Sequence, residues 1–191
     1  LFIYDTEFIL QTKTPLGYTV LRGGPKSFEM SLKKQAEKLG VKIHTNCNKK
    51  INAEIIATGP KRAVAVIYGK VYEGNFNPKE VKVFIDFRNC PGGYTYLYPH
   101  NKKMASLVLS KLASSKLDVK EGIEIIHKKF ENILNLDSSS LLYDFGKFAD
   151  FRIPETAVID KSLYVGEAAG FQDPFLGFGM RYAIKSGYLA A

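Results

Sequence analysis

The chain has 191 residues, 46% of them hydrophobic and 24% charged, a balance that supports a packed core and excludes a disordered chain. Lys and Arg number 27 against 19 Asp and Glu, a formal charge of +8. The lysines are spread along the chain, which excludes a blocked basic tail. What remains is a lysine-rich solvated surface, or attraction to an anionic lipid surface or an anionic cofactor.

In chain order, the opening Phe2-Ile3-Tyr4 reads as a strand within a longer protein, an expectation strengthened by Leu rather than Met at position 1. Residues 18–22 read as a short strand ended by Gly23-Gly24. Pro25 suits the first turn of a helix, over which Phe28, Leu32, Ala36 and Leu39 recur at helical spacing, with Gly40 as its C-terminal cap. Residues 41–43 and 53–57 read as further strands, the second ending at Thr58-Gly59-Pro60. Strand, helix and strand in this order predict part of an α/β layer.

Residues 63–72, 81–88, 94–98 and 104–110 are β-rich runs divided by Gly, Pro and Asn, without helices between them, so the middle predicts an antiparallel sheet. Asp118 and Glu121 form a capping box for a helix whose apolar face is Ile123, Ile126, Phe130 and Ile133. Residues 163–165 read as a strand, 166–178 as a loop and 179–191 as a helix. The fold class expected is therefore mixed α/β: an incomplete nucleotide-binding layer over residues 11–62 and 150–191, interleaved with an antiparallel-sheet domain over 63–149.

The strongest chemical signal is the run from Leu163 through Val165, Gly166-Glu167-Ala168-Ala169-Gly170, Pro174, Gly177, Gly179 and Met180. An acid at the C-terminal tip of a strand can accept hydrogen bonds from the hydroxyls of a sugar alcohol. Gly177 and Gly179 let a flat ligand or a phosphate approach the backbone, and the free amides opening the last helix favour negative charge. The following helix is rich in small residues, Ala183, Ser186, Gly187, Ala190 and Ala191.

This run resembles the second FAD motif of the geranylgeranyl reductase family, within the aromatic hydroxylase superfamily, usually Gly-Asp-Ala-Ala-Gly, then Pro, then Gly-x-Gly. The resemblance implies that Gly166 and Glu167 meet the ribityl chain of FAD, while Gly177, Gly179 and Met180 lie beside the flavin. The departure is Glu167 in place of the usual Asp. Arg22, followed by a helix with Phe28 and Glu29, is similar to the family's arginine near the FAD phosphates; the alternative is an ordinary strand-end arginine. Ala57-Thr58-Gly59 looks like the turn of two-dinucleotide-binding flavoproteins. Gly93-Tyr94-Thr95-Tyr96-Leu97-Tyr98-Pro99 is similar to the reductase signature Gly-Tyr-x-Trp-x-Phe-Pro. It implies an aromatic wall of Tyr94, Tyr96 and Tyr98, with Pro99, along an apolar substrate; the alternative is a ladder that only stabilises the sheet.

The resemblance thus implies an FAD-dependent oxidoreductase that saturates double bonds of isoprenoid chains on a lipid, with hydride supplied by reduced FAD. The alternatives are a flavin monooxygenase, a halogenase, a lycopene-cyclase-like enzyme, or a non-catalytic lipid-binding module, the last because the sequence holds no Gly-x-Gly-x-x-Gly. The partners expected are an isoprenoid lipid and an anionic membrane face, without nucleic acid, since no basic helix of a nucleic-acid reader appears. A cytoplasmic location, peripheral to a membrane, follows from the lack of a signal segment and of any apolar run near the 20 or so residues a bilayer needs. Cys47, Cys90, His44, His100 and His127 share no metal-ligand spacing, so no metal is expected.

Overall fold

The computed structural model describes residues 1–14, 20–22, 24–47, 52–134, 136, 140–150, 152–173 and 177–191. Residues 10–52 form one compact unit; residues 1–9 and 53–191 form the other.

The larger unit opens with β1 (Phe2–Ile3) and β2 (Thr6–Glu7), paired antiparallel. In the smaller unit α1 spans Phe28–Lys38, and the Ser27 hydroxyl accepts the Met30 N–H at 3.3 Å. Ser27 rather than Pro25 therefore starts the helix, since its hydroxyl satisfies an orphan first-turn amide. Gly40 follows the helix with φ 84°, the expected left-handed stop. The strand expected over 41–43 does not form: these residues are irregular. The smaller unit contains no strand among its described residues, so nothing there supplies a ladder partner. Of the strand expected over 18–22, Tyr18 and Thr19 lie outside the described residues and Val20 to Arg22 are irregular.

Next in the larger unit come β3 (Ile55–Ile56), β4 (Ala65–Glu73), β5 (Lys82–Ile85), β6 (Tyr94–Asn101) and β7 (Met104–Leu112). The helices α2 (Val119–Lys129) and α3 (Glu131–Leu134) then precede β8 (Leu141–Ala149). The chain closes with β9 (Val158–Ile159), β10 (Ser162–Tyr164), a 3₁₀ turn over Gly166–Ala169, and α4 (Met180–Ala190). Seven strands form one sheet in the order β2-β1-β5-β6-β7-β4-β8, antiparallel except for the parallel pair β1 and β5. A second sheet has the order β3-β10-β9. The architecture is mixed α/β with a large, mostly antiparallel sheet, as the sequence predicts.

The core lies between the large sheet and α2. Phe84, Leu97, Leu107 and Leu109 meet Ile123, Ile126, Phe130 and Leu134 there, and Phe2 stacks on Phe84 at 5.0 Å. Ile123 and Ile126 are fully buried, each contributing about 2 kcal/mol or more of apolar burial. Asp118 caps α2, accepting the Lys120 N–H at 2.7 Å and the Glu121 N–H at 3.2 Å. Ile133, expected on the apolar face, is 38% exposed because α2 ends at Lys129 and Leu134 takes the buried place.

A two-residue turn joins β9 to β10, with both Asp160 (φ 50°) and Lys161 (φ 68°) left-handed. Such a turn favours Gly at its second position. Lys161→Gly should raise stability by about 1 kcal/mol, read from the urea midpoint; a lower midpoint would show that the lysine side chain outweighs the backbone strain.

Candidate functional site

The small sheet sets the site. Leu163 pairs with Ile55 and Tyr164 with Ile56 in parallel register, and the Val165 N–H reaches the Ile56 carbonyl at 3.0 Å. Parallel pairing brings the C-terminal ends of β3 and β10 to one side. The Ala57-Thr58-Gly59 turn and the Gly166-Glu167 turn therefore open beside each other, the placement in which open α/β sheets bind ligands. Gly59 has φ 83°, and a Cβ there would meet nothing within 4 Å, so the first turn is open on that side.

Glu167 sits on the 3₁₀ turn, half-buried, while Gly166, Ala168 and Ala169 are buried. One carboxylate oxygen, Oε1, accepts the backbone N–H of Asp150 at 3.2 Å. Behind the turn runs α4. A Cβ on Gly166, whose φ is 57°, would stand 3.2 Å from the Ala183 Cβ, and the Gly166 N–H donates to the Ser186 hydroxyl at 2.9 Å. Ala183 and Ser186 are thus small because the turn lies against them. Gly187 has no such reason, since a Cβ there meets nothing within 4 Å.

The loop between the turn and α4 is closed on itself. Asp173 N–H donates to the Phe178 carbonyl at 3.1 Å and Gly177 N–H to the Asp173 carbonyl at 2.9 Å. The Gln172 amide nitrogen donates to the Gly177 carbonyl, and Cβ atoms on Gly177 or Gly179 would face this same side chain at 3.6 to 3.9 Å. The space the two glycines open is thus the space Gln172 lies against. Pro174, Phe175 and Leu176 lie outside the described residues. No side chain of the described residues caps α4, whose N-cap is Gly179, so its first-turn amides at Met180 and beyond present the positive end of the helix dipole.

The tyrosines come from the large sheet. Tyr94, Tyr96 and Tyr98 pair with Ser110, Val108 and Ser106 on the face away from α2, and the Tyr94 and Tyr96 rings lie 5.7 Å apart. Burial, and then the nearby Asp173 carboxylate, raises the Tyr94 phenol; burial, and then Tyr94, pushes Tyr96 up to about 12. Asp173, in the loop before α4, thus acts on Tyr94 through its charge. Tyr98 stands about 13 Å further along the strand, beside His100, whose Nε2 is 2.6 Å from the Ser106 hydroxyl. Pro99 is buried on the opposite face of the strand, opposite Ala105. The structure places Gly166 and Glu167 on a turn against α4, and Gly177 and Gly179 against Gln172 just before that helix begins at Met180; Tyr94 and Tyr96 lie on the large sheet. Tyr98 is more distant, and Pro99 does not share their face.

Arg22 belongs to the smaller unit, where it pairs with Glu29 at the start of α1. Glu29's own backbone, then Arg22, holds the Glu29 carboxyl below its usual range. The contacts of Asp150, Gln172 and Ser186 with the Glu167 turn and the loop before α4 arise from the fold and are not displayed by the sequence. Among the described residues no group of three or more His, Cys, Asp or Glu could hold a metal ion, and no helix is long and apolar enough to cross a membrane.

No family profile matches the sequence, and no curated protein matches it. Among solved structures, a geranylgeranyl bacteriochlorophyll reductase-like protein from Thermoplasma acidophilum is similar over 66% of this chain, with TM-score 0.56 and 14% identity. The chain spans 32% of that protein's length. A probable FAD-dependent monooxygenase from Pseudomonas aeruginosa matches 82% of this chain and 41% of its own at TM-score 0.46 and 15% identity. A flavin-dependent brominase matches 66% of this chain and 34% of its own at TM-score 0.45 and 16% identity. The likeness to the Thermoplasma protein is one of fold.

Proposed function

We propose that this chain forms the ribityl-binding and substrate-facing part of an FAD-dependent oxidoreductase that saturates double bonds in isoprenoid chains of a lipid. The observation that carries the reading is the half-buried Glu167 at the tip of β10, parallel to β3, with α4 packed behind it. The residues fit the group in three respects. Glu167 has a second oxygen, Oε2, that takes no hydrogen bond from the described residues, suited to the hydroxyls of a sugar alcohol. The uncapped amides of α4 favour an electron-rich ring edge. Tyr94 and Tyr96 give an aromatic surface on the large sheet for an apolar chain.

When bound in its reduced form, FAD would supply the hydride, with the second hydrogen arriving as a proton from water. The chain's own residues orient and exclude. Glu167 anchors the sugar alcohol, and the Tyr94 and Tyr96 rings keep water from one side of a slot for a long apolar chain. Tyr96, pushed up to about 12, stays a neutral hydrogen-bond donor at any physiological pH. The formal charge of +8 supports an anionic lipid face as the place where such a substrate is met.

Titration of the purified chain with FAD, followed by flavin fluorescence, should give saturable binding. Glu167→Ala should weaken it by a factor of about 10 or more, about 1.4 kcal/mol. No saturable binding, or equal affinity in the variant, sinks the reading. With an isoprenoid lipid and reduced FAD, a mass gain of two hydrogens per bond is the expected product, and oxygen or halogen insertion would overturn the reductase assignment.

A further inference from the structure

We infer that Asp150 and Arg152 are positioning residues for Glu167, and that a glutamate rather than an aspartate is what reaches the Asp150 amide. The inference rests on the flavin reading only for the identity of the ligand. The Glu167 Oε1 accepts the Asp150 N–H at 3.2 Å. Removing one methylene from this side chain would pull the carboxylate back by about 1.5 Å, beyond hydrogen-bond reach on the same backbone. The longer acid thus spends one oxygen on its own chain and keeps the other for a ligand.

The donor it reaches is itself held. Asp150 is 1% exposed, and its carboxylate takes the Arg152 Nε at 2.7 Å, the Arg152 guanidinium end nitrogen at 2.5 Å, and the Arg152 N–H at 3.4 Å. The Arg152 fork, outweighing the upward pull of burial, and then the backbone of Arg62, keep Asp150 ionised below its ordinary range. Arg62 lies on the connector leading from β3 toward β4, and Asp150 on the one leading from β8 toward β9. The two connectors meet beside Asp150, where the Val64 N–H donates to the Ala149 carbonyl at 3.0 Å.

A second contact closes the clamp. Gly170 has φ 81°, and a Cβ there would stand 2.4 Å from the Arg152 carbonyl oxygen. The 3₁₀ turn meets Asp150 through the Glu167 side chain and Arg152 through the bare Gly170 backbone. Its carboxylate direction is thereby fixed before any ligand arrives, which lowers the ordering cost of binding.

The test has a ligand-free arm and a ligand arm. Amide hydrogen exchange at Asp150 should quicken at least ten-fold in Glu167→Asp and in Arg152→Ala, with Arg152→Lys between, while the Leu109 amide in the core keeps its rate. An unchanged Asp150 rate in Glu167→Asp overturns the clamp. In FAD titrations, Arg152→Ala should lose affinity at least five-fold while the midpoint of ligand-free thermal unfolding accounts for none of it at the titration temperature. Faster exchange with unaltered affinity overturns the positioning role. Wild-type chain that shows the exchange pattern but binds no FAD overturns the flavin reading and leaves the clamp standing.

Discussion

Gly93→Ala should destabilise the chain by about 4 kcal/mol, the scale of a severe backbone clash. A Cβ at position 93 would sit 1.9 Å from the Ser110 carbonyl oxygen, 2.6 Å from its carbon and 3.0 Å from the Lys111 Cα. All three are backbone atoms in β7, which is hydrogen-bonded on both sides and cannot rotate away. The displacement would pass to Tyr94, the next residue, which pairs with Ser110. Gly187→Ala is the contrast. Its Cβ meets nothing and its backbone is helical, so the exchange should stabilise by about 1 kcal/mol from helix propensity alone. Urea midpoints of the two variants check both signs; a loss under about 1 kcal/mol at Gly93 would mean that β6 and β7 can part without cost.

The second large effect is on acid. Stability should fall by about 2 kcal/mol as pH drops from about 4 to about 2, because of Asp86. Burial alone would raise this carboxyl, but hydrogen bonds from Arg88 and Lys129, the Arg88 N–H and Asn89 hold it down at about 2 from an ordinary 3.8. The sign follows from that direction. A carboxyl with a folded value below its unfolded one stabilises the fold above the unfolded value, and that contribution disappears as protons arrive toward the folded value. Asp86 is 1% exposed and meets Arg88 Nε at 3.0 Å, Lys129 at 3.2 Å and Asn89 at 3.0 Å, while Lys129 also reaches Asp5 at 2.7 Å. The cluster ties the β1–β2 turn to the end of α2. Asp150 adds to the same trend. Asp86→Asn should lower stability at neutral pH and flatten the loss between pH 4 and 2; an unaltered slope in the variant would assign the acid sensitivity elsewhere.

The sequence displays those parts whose structure is decided locally. The α2 helix is readable because its cap, Asp118, and its apolar spacing agree. The strands β4 to β7 are readable because β-branched and aromatic runs alternate with turn residues. The strand β8 was not predicted, since Leu141-Leu-Tyr-Asp-Phe-Gly-Lys-Phe-Ala149 mixes glycine and charge without alternation. Its order comes from the ladder with β4, where the Phe145 ring covers Gly69 so closely that a Cβ there would be 2.4 Å away. Residues 41–43 show the reverse, an alternating Val-Lys-Ile run of strand type with no ladder to join among the described residues. At the site, the sequence identifies the strand-tip acid and the tyrosines, which are chemical types in a short run. It does not display the Asp150 N–H against Glu167 or the charge of Asp173 acting on Tyr94, because those residues are far apart in sequence. Nor does it place Pro99, which strand alternation turns away from the tyrosines it follows.

The small sheet has a bearing on how the molecule reaches its native state. The Ser162 hydroxyl donates to the Ala53 carbonyl across 109 residues of sequence, and β3 meets β10 over the same span. Between them lie β4 to β8, α2, α3 and β9, with β5, β6 and β7 joined in sequence while β4 meets β7 and β8 across longer stretches of chain. Ring closure over so long a segment is entropically dear until the intervening chain has condensed. The strand tips that present Thr58-Gly59 and Glu167 thus depend on a closure that spans most of the larger unit.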